Sequence, residues 1–250
     1  MKFVFDLDGT ICFKGQPLCA EIVEALQFCR LMGHEVIFAS ARPIRDLLPV
    51  LPNDMHIYPM IGGNGAFVAK NGQSTHLSSF DNQTRKQIIQ IIEDFQLSYL
   101  IDSTWDYAYT GSAKHPIYRN LDPERLAKNI SIKEIDQMIK VVLFPNEHAD
   151  AILSRLESLP ARIYIHGQEN IFDISPVGID KWYGLRKLKV KEQDFIAFGN
   201  DANDIPMFLA AKEAVCVGTH EELQQVATMV VESNTHTVAN KIIELSKLYT

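Results

Sequence analysis

Within the first ten residues an apolar run, Phe3-Val4-Phe5, leads directly into Asp6-Leu7-Asp8-Gly9-Thr10. A short apolar run reads as a buried strand, and the two acids then lie at its carboxyl end. Side chains two residues apart on an extended chain point to the same side, and Gly9 lets the backbone turn sharply behind them. That geometry suits a divalent cation and a reacting group. Such a pair can carry phosphoryl transfer: one carboxylate attacks phosphorus, and the other protonates the leaving oxygen and later deprotonates the hydrolytic water. The charge on the phosphoryl oxygens then calls for a hard cation, a hydroxyl donor, a Lys and further carboxylates downstream. Taken alone, Asp-x-Asp also fits a solvated turn or a calcium loop, and its context has to decide.

Asp-Leu-Asp-Gly-Thr after an amino-terminal apolar strand resembles motif I of the haloacid dehalogenase superfamily of phosphatases. The resemblance implies Asp6 as nucleophile and Asp8 as general acid and base. Ion-pumping ATPases of that superfamily carry Thr at the second position, so Asp8 implies a phosphatase or a phosphomutase.

Further along, Ala20 to Met32 places apolar residues at 22, 23, 25, 26 and 29, a helical stripe, and Val36-Ile37-Phe38-Ala39 reads as a second buried strand. Strand, helix and strand imply a parallel unit, whose ligands gather at the carboxyl ends of the strands, so Ser40 is expected beside the two acids. Ser40-Ala41-Arg42-Pro43 is similar to motif II, where a hydroxyl donates to the phosphoryl group, with Ala41 in place of the usual Gly. By itself Ser40 also fits a helix cap, and Arg42 fits either a substrate contact or a solvated helix start. Gly62-Gly63-Asn64-Gly65-Ala66 resembles the Asn-Gly-Ala of the Cof-type subfamily, which implies Asn64 near the site; a left-handed turn at Asn64 is an equal reading. Asn71-Gly72 marks a hairpin.

From Phe80 the pattern changes to helix, two strands, helical material at 123–128 and 132–136, a strand, a helix and two strands, an α+β insertion. It resembles the C2B cap of the Cof-type subfamily. The expected organisation is an α/β, Rossmann-like parallel-sheet core over 1–79 and 176–250 with a cap at 80–175 that selects substrate and excludes water. His115, Arg119 and His166 are loop residues that fit either surface or specificity positions. Trp105, Tyr107 and Tyr109 alternate along one strand and read as core.

Beyond the insertion, Asp180-Lys181 resembles motif III, in which Lys neutralises nucleophile and phosphate; Trp182 replaces the usual Gly and is expected to add bulk near the site. Phe195 to Phe198 is another buried strand, ending in Gly199-Asn200-Asp201-Ala202-Asn203-Asp204. This is similar to motif IV, usually Gly-Asp-x-x-Asn-Asp, with Asn200 at the first acidic position. Asn offers magnesium an oxygen without the charge that helps displace its water. Asn200 as a weak ligand, Asp201 turned in as a substitute, and Asp204 bound directly or through water all remain open, as does an Asx-rich helix start.

The formal net charge of −7, with no basic run, argues against nucleic acid as a partner, and 46% hydrophobic residues support a substantial core. Four cysteines without C-x-x-C spacing, no leader pattern and no membrane-length apolar stretch point to a cytoplasmic, soluble protein. The expected activity is magnesium-dependent hydrolysis of a small phosphorylated metabolite, a sugar phosphate or a related ester. Asp6, Asp8, Ser40 and Lys181 are the catalytic candidates, and Thr10, Arg42, Asn64 and Asn203 the substrate contacts. Asp6, Asp8, Asn200, Asp201 and Asp204 are the candidate Mg2+ ligands. A phosphomannomutase-like mutase and a catalytically weak phosphometabolite-binding protein are the rival readings, the second favoured by Asn200.

Overall fold

The computed structural model describes residues 1–166 and 170–250, and the side chain of His166 lies outside the described residues. In chain order the strands are β1 (Lys2–Phe5), β2 (Glu35–Ala39), β3 (Met60–Gly62), β4 (Phe67–Lys70), β5 (Gln73–Leu77), β6 (Ser98–Asp102), β7 (Tyr107–Tyr109), β8 (Lys140–Phe144), β9 (Ala161–His166), β10 (Ile171–Pro176), β11 (Phe195–Gly199), β12 (Glu213–Val217) and β13 (Met229–Val231). The helices are α1 (Ala20–Leu31), α2 (Ile44–Leu47), α3 (Asn82–Asp94), α4 (Ala149–Glu157), α5 (Lys181–Lys187), α6 (Ile205–Ala210), α7 (Glu221–Val226) and α8 (Thr235–Leu248). Two compact units result, one of Met1–His76 with Asp180–Thr250, the other of Leu77–Ile179.

The first unit is built on one sheet in the order β13-β12-β11-β1-β2-β3-β4-β5. From β13 to β3 every pairing is parallel, and β4 turns back antiparallel to β3. Its central strands are apolar throughout because both faces are covered, as parallel sheets require. Phe3, Phe5, Val36, Phe38, Ile196 and Phe198 pack on one side with α1 and α8; Val4, Ile37, Ala39, Phe195 and Ala197 pack on the other with α5 and α6. Fully burying each of the larger side chains is worth about 1.5–3 kcal/mol relative to exposure. That drive fixes the register of β1 between β11 and β2 and hence the position of the loop that follows it.

The strand order reverses at β1: it runs through β2 and β3 to one side and through β11, β12 and β13 to the other. The crevice at the carboxyl ends of β1 and β11 is therefore the topological switch point at which α/β sheets bind ligands.

The second unit is an antiparallel sheet, β7-β6-β8-β10-β9. Helices α3 and α4 cover one face, packing Ile88, Ile91, Ile92, Ile152 and Leu156 on Ile101, Val141, Leu143, Phe172 and Ile174. The other face carries a smaller cluster with Leu100, Tyr109, Leu121, Val142 and Ile171. The fold is thus α/β, a Rossmann-like parallel sheet interrupted by an α+β insertion with its own sheet.

The helix expected at 123–128 is not formed. The Asp122 carboxylate instead accepts from the main-chain N–H of Leu126 at 2.7 Å and of Ala127 at 3.1 Å, so a side-chain acceptor has outcompeted helical carbonyls. At 132–136 only one turn of 3-10 helix forms, Ile132–Glu134, closed by a capping box between Ser131 and Glu134. Trp105 lies outside β7, is exposed, and donates its indole N–H to the Leu126 carbonyl at 2.7 Å, so it does not belong to a core stripe with Tyr107 and Tyr109. Among the described residues no helix is long and apolar enough to cross a membrane.

Candidate active site

Four parallel strands end together and supply the candidate residues: β1 delivers Asp6, β2 Ser40, β3 the turn with Asn64, and β11 Asn200. Asp6 is pinned by its own main chain, whose N–H donates to the Phe198 carbonyl of β11 at 2.9 Å. Its carboxylate is buried and divides its bonds, accepting from Lys181 Nζ on Oδ1 at 2.7 Å and from Thr10 Oγ1 on Oδ2 at 2.8 Å.

Lys181 is fully buried, and its ammonium also donates to Asp204 Oδ1 at 2.6 Å and Asn203 Oδ1 at 3.2 Å. Asn203 in turn donates its amide to Asn64 Oδ1 at 3.3 Å. Asn64 has a left-handed φ of 56°, so it is at once the turn residue and part of the buried network. Helix α5 is brought close by Gly65: at its φ of 111°, a Cβ would stand 2.0 Å from the Asp180 carbonyl oxygen. Only glycine lets that turn press against the start of α5 and set Lys181 in place.

Two carboxylates therefore share one ammonium in a buried site. Burial pushes the Asp6 carboxyl up, Lys181 opposes this and Asp204 reinforces it, and the group ends at about 7. Burial alone would lower Lys181; Asp204 and Asp6 outweigh it and hold the ammonium above its ordinary range. A cation brought against Asp6 would return its carboxyl toward ionisation.

Asp8 is different. Its side chain is 46% exposed and held by the Arg42 guanidinium, which donates from Nε to Oδ2 at 2.7 Å and from Nη2 to Oδ1. Arg42, expected as a substrate contact or a solvated helix start, is thus bound to the second acid of motif I. Ser40 is buried and accepts the Arg42 main-chain N–H at 3.1 Å, which leaves its hydroxyl proton to be donated elsewhere. It does not cap α2, whose N-cap is Pro43.

In the loop after β11, Asp204 does structural work: its Oδ2 accepts the main-chain N–H of Asn200 at 2.9 Å and of Asp201 at 3.2 Å while Oδ1 holds Lys181. Both oxygens of Asp204 thus face donors of the protein. Asp201 takes other partners. It caps the 3-10 turn Ala202–Asp204 through Ala202 N–H at 2.7 Å and lies 3.4 Å from His220 Nε2. His220, at the N-cap of α7, was not singled out from sequence, although its place after β12 is the signal that could have found it.

Asn200 is the loop residue that reaches motif I. Thr10 Oγ1 lies 3.2 Å from Asn200 Oδ1 as well as 2.8 Å from Asp6 Oδ2, so an amide oxygen and a carboxylate oxygen converge on one point. The Asn200 amide also lies over Gly9: at its φ of 80°, a Cβ there would meet Nδ2 at 2.3 Å. Among the described residues no three His, Cys, Asp or Glu side chains gather as a metal site. An all-oxygen set of Asp6, Asn200 and the neighbouring main chain still fits a hard ion such as Mg2+, which keeps several waters and takes few protein ligands.

Trp182 stacks on Phe195 with ring centroids 5.7 Å apart, at the amino end of β11. Its bulk therefore enters the apolar layer under the sheet and not the site, contrary to the sequence expectation.

A sequence profile of the haloacid dehalogenase-like hydrolases matches residues 3–242. The chain belongs to that family, and it is an enzyme of the family's phosphatase type. Among its relatives is a phosphoglycolate phosphatase of Nitrosopumilus maritimus, 25% identical over 240 residues that cover 93% of this chain and 90% of that protein. Among solved structures, the HAD subclass IIB sugar phosphatase BT4131 superposes with a TM-score of 0.82 at 18% identity, covering 98% of each chain. A haloacid dehalogenase-like hydrolase from Bacillus subtilis gives 0.82 at 20% identity, over 98% of this chain and all of that one (100%).

Proposed function

We propose that the chain is a magnesium-dependent hydrolase of small phosphomonoesters that works through an aspartyl phosphate on Asp6. The observation that carries this reading is the buried Lys181 shared between Asp6 and Asp204 at the carboxyl ends of β1 and β11. A carboxylate held there by one ammonium is fixed in orientation, while the same ammonium is set to meet the phosphoryl oxygens as charge builds on them.

In this mechanism a carboxylate oxygen of Asp6 forms the bond to phosphorus as the ester oxygen departs. Asp8 gives that oxygen a proton, then takes one from the water that releases phosphate and restores Asp6. The Ser40 hydroxyl and Lys181 hold the phosphoryl oxygens, and Thr10 and the Asn64–Asn203 pair keep Asp6 and Lys181 in position. Asp6, the Asp8 main chain and Asn200 would hold Mg2+, which when bound supplies charge neutralisation for the phosphoryl group. The unit Leu77–Ile179 serves as the cap that selects the ester. A sugar phosphate or related metabolite is the substrate class, supported by relatives named for phosphoglycolate and for sugar phosphates.

The test is phosphate release from a panel of sugar phosphates, phosphoglycolate, nucleotides and an aryl phosphate, with Mg2+ or chelator, for wild type and Asp6→Asn. Release that needs the metal and disappears in the variant is the expected result. A folded wild-type protein that releases phosphate from none of them overturns the reading.

A further inference from the structure

We infer that Arg42 is a positioning residue for Asp8, and that its main contribution to turnover is to hold the acid and base carboxylate over the leaving oxygen and not to bind the phosphoryl group. The inference rests on the proposed role of Asp8. Asp8 follows β1 in a turn and has a half-exposed side chain, a setting in which a lone carboxylate rotates among rotamers. The Arg42 fork removes that freedom, because two parallel N–H···O bonds fix the plane of the carboxylate as well as its position. Two of the roughly four lone-pair sites are used, so each oxygen keeps one for a proton in flight.

The clamp is itself clamped. Arg42 is 10% exposed, and its Nη1 donates to the Asp46 carbonyl at 3.3 Å. Its main-chain N–H donates to Ser40 Oγ at 3.1 Å, and its carbonyl accepts from Gly63 N–H at 2.8 Å. The loops after β2 and β3 thus grip the arginine backbone on both sides. The segment that carries the Ser40 hydroxyl also sets the Asp8 carboxylate, so phosphoryl contact and proton transfer are fixed by one piece of backbone. An arginine held by both of its fork nitrogens has correspondingly less to offer an incoming phosphate.

Leaving groups separate the two roles. An aryl phosphate such as p-nitrophenyl phosphate departs without a proton, whereas an alkyl phosphate such as glycerol phosphate needs one. The kcat/KM values of both esters are compared for wild type, Arg42→Ala, Arg42→Lys, Asp8→Asn and the double variant Arg42→Ala/Asp8→Asn. General acid catalysis contributes about 10²–10⁴ in rate, so Asp8→Asn should lose at least about a hundredfold more on the alkyl than on the aryl ester. Arg42→Ala should lose about tenfold or more in the same alkyl-to-aryl ratio, and the double variant should show no lower a ratio than Asp8→Asn alone. Arg42→Lys keeps the charge without the fork and should show the selective alkyl loss with little change on the aryl ester. Equal losses on both esters in the Arg42 variants, with Asp8→Asn still selective, overturn the inference and assign Arg42 to phosphate binding. An Asp8→Asn variant without leaving-group selectivity overturns the role of Asp8 itself.

Discussion

Replacing Asn200 by Asp adds one negative charge where an amide oxygen now converges with Asp6 on Thr10 Oγ1, 3.2 Å and 2.8 Å away. Two unit charges about 4 Å apart interact by about 1 kcal/mol in water, and a divalent cation doubles that, so Mg2+ binding should strengthen by about 2 kcal/mol. That corresponds to a roughly thirtyfold drop in the Mg2+ concentration that half-saturates phosphatase activity. The same charge works against the protein in chelator, where it adds a carboxylate beside Asp6 and close to Asp204. At the same separation and screening the opposing effect is about 1 kcal/mol. Asn200→Asp should therefore melt below wild type in chelator and above it in millimolar Mg2+, a reversal that neither a packing defect nor a generic charge effect produces. Melting in both conditions and Mg2+ titration of activity give the two readouts. A folded Asn200→Asp protein whose half-saturating Mg2+ stays within twofold of wild type would refute the placement of the cation between Asp6 and Asn200.

Asp204→Ala removes the acceptor of two main-chain N–H groups and one of the carboxylates on buried Lys181, and should cost about 3–5 kcal/mol in urea unfolding. Gly9→Ala must accommodate a Cβ 2.3 Å from Asn200 Nδ2 at a φ of 80°, so Mg2+ titration of activity should show a severalfold rise in the half-saturating concentration. In chelator, the Asp6 carboxyl raised to about 7 means the folded chain holds a proton the unfolded chain has released, so its contribution to stability is present below about pH 4 and lost as pH rises through 7. Asp6→Asn should accordingly melt higher than wild type at pH 8 in chelator, with the difference vanishing near pH 4; equal melting at both pH values would contradict the burial of an ionisable Asp6.

What could be read from sequence was what strands and their carboxyl ends carry locally. Phe3-Val4-Phe5 and Phe195 to Phe198 are apolar at every position because both faces of a parallel sheet are covered, and the residues after them necessarily reach the same edge. What sequence left open was which partner each polar side chain would take. Asp201 and Asp204 are acids of one short loop; one, with extended backbone, faces His220 and its own helix start, while the other, with helical backbone, sits under Lys181. Arg42 and Asp8 are 34 residues apart, so nothing local announces their fork. At Asp122 a side-chain acceptor overrode the helical expectation, and Trp182 packed on Phe195 in the apolar layer on its own side of the sheet and not into the site.

The first unit fastens the two ends of its own interruption. The outgoing strand β5 and the returning helix α5 are joined by His76 Nε2 and the Tyr183 hydroxyl, 3.0 Å apart, and the turn at Gly65 abuts the Asp180 carbonyl. A segment inserted between such a stapled pair of ends adds only a slowly growing closure entropy, whatever its length. The spacing of Asp6, Lys181 and Asp204 is thus set within the first unit, by the sheet, the Gly65 turn and the start of α5, on the two sides of the junction between His76 and Asp180. The contacts that hold those three side chains all lie on the first unit's side of that junction.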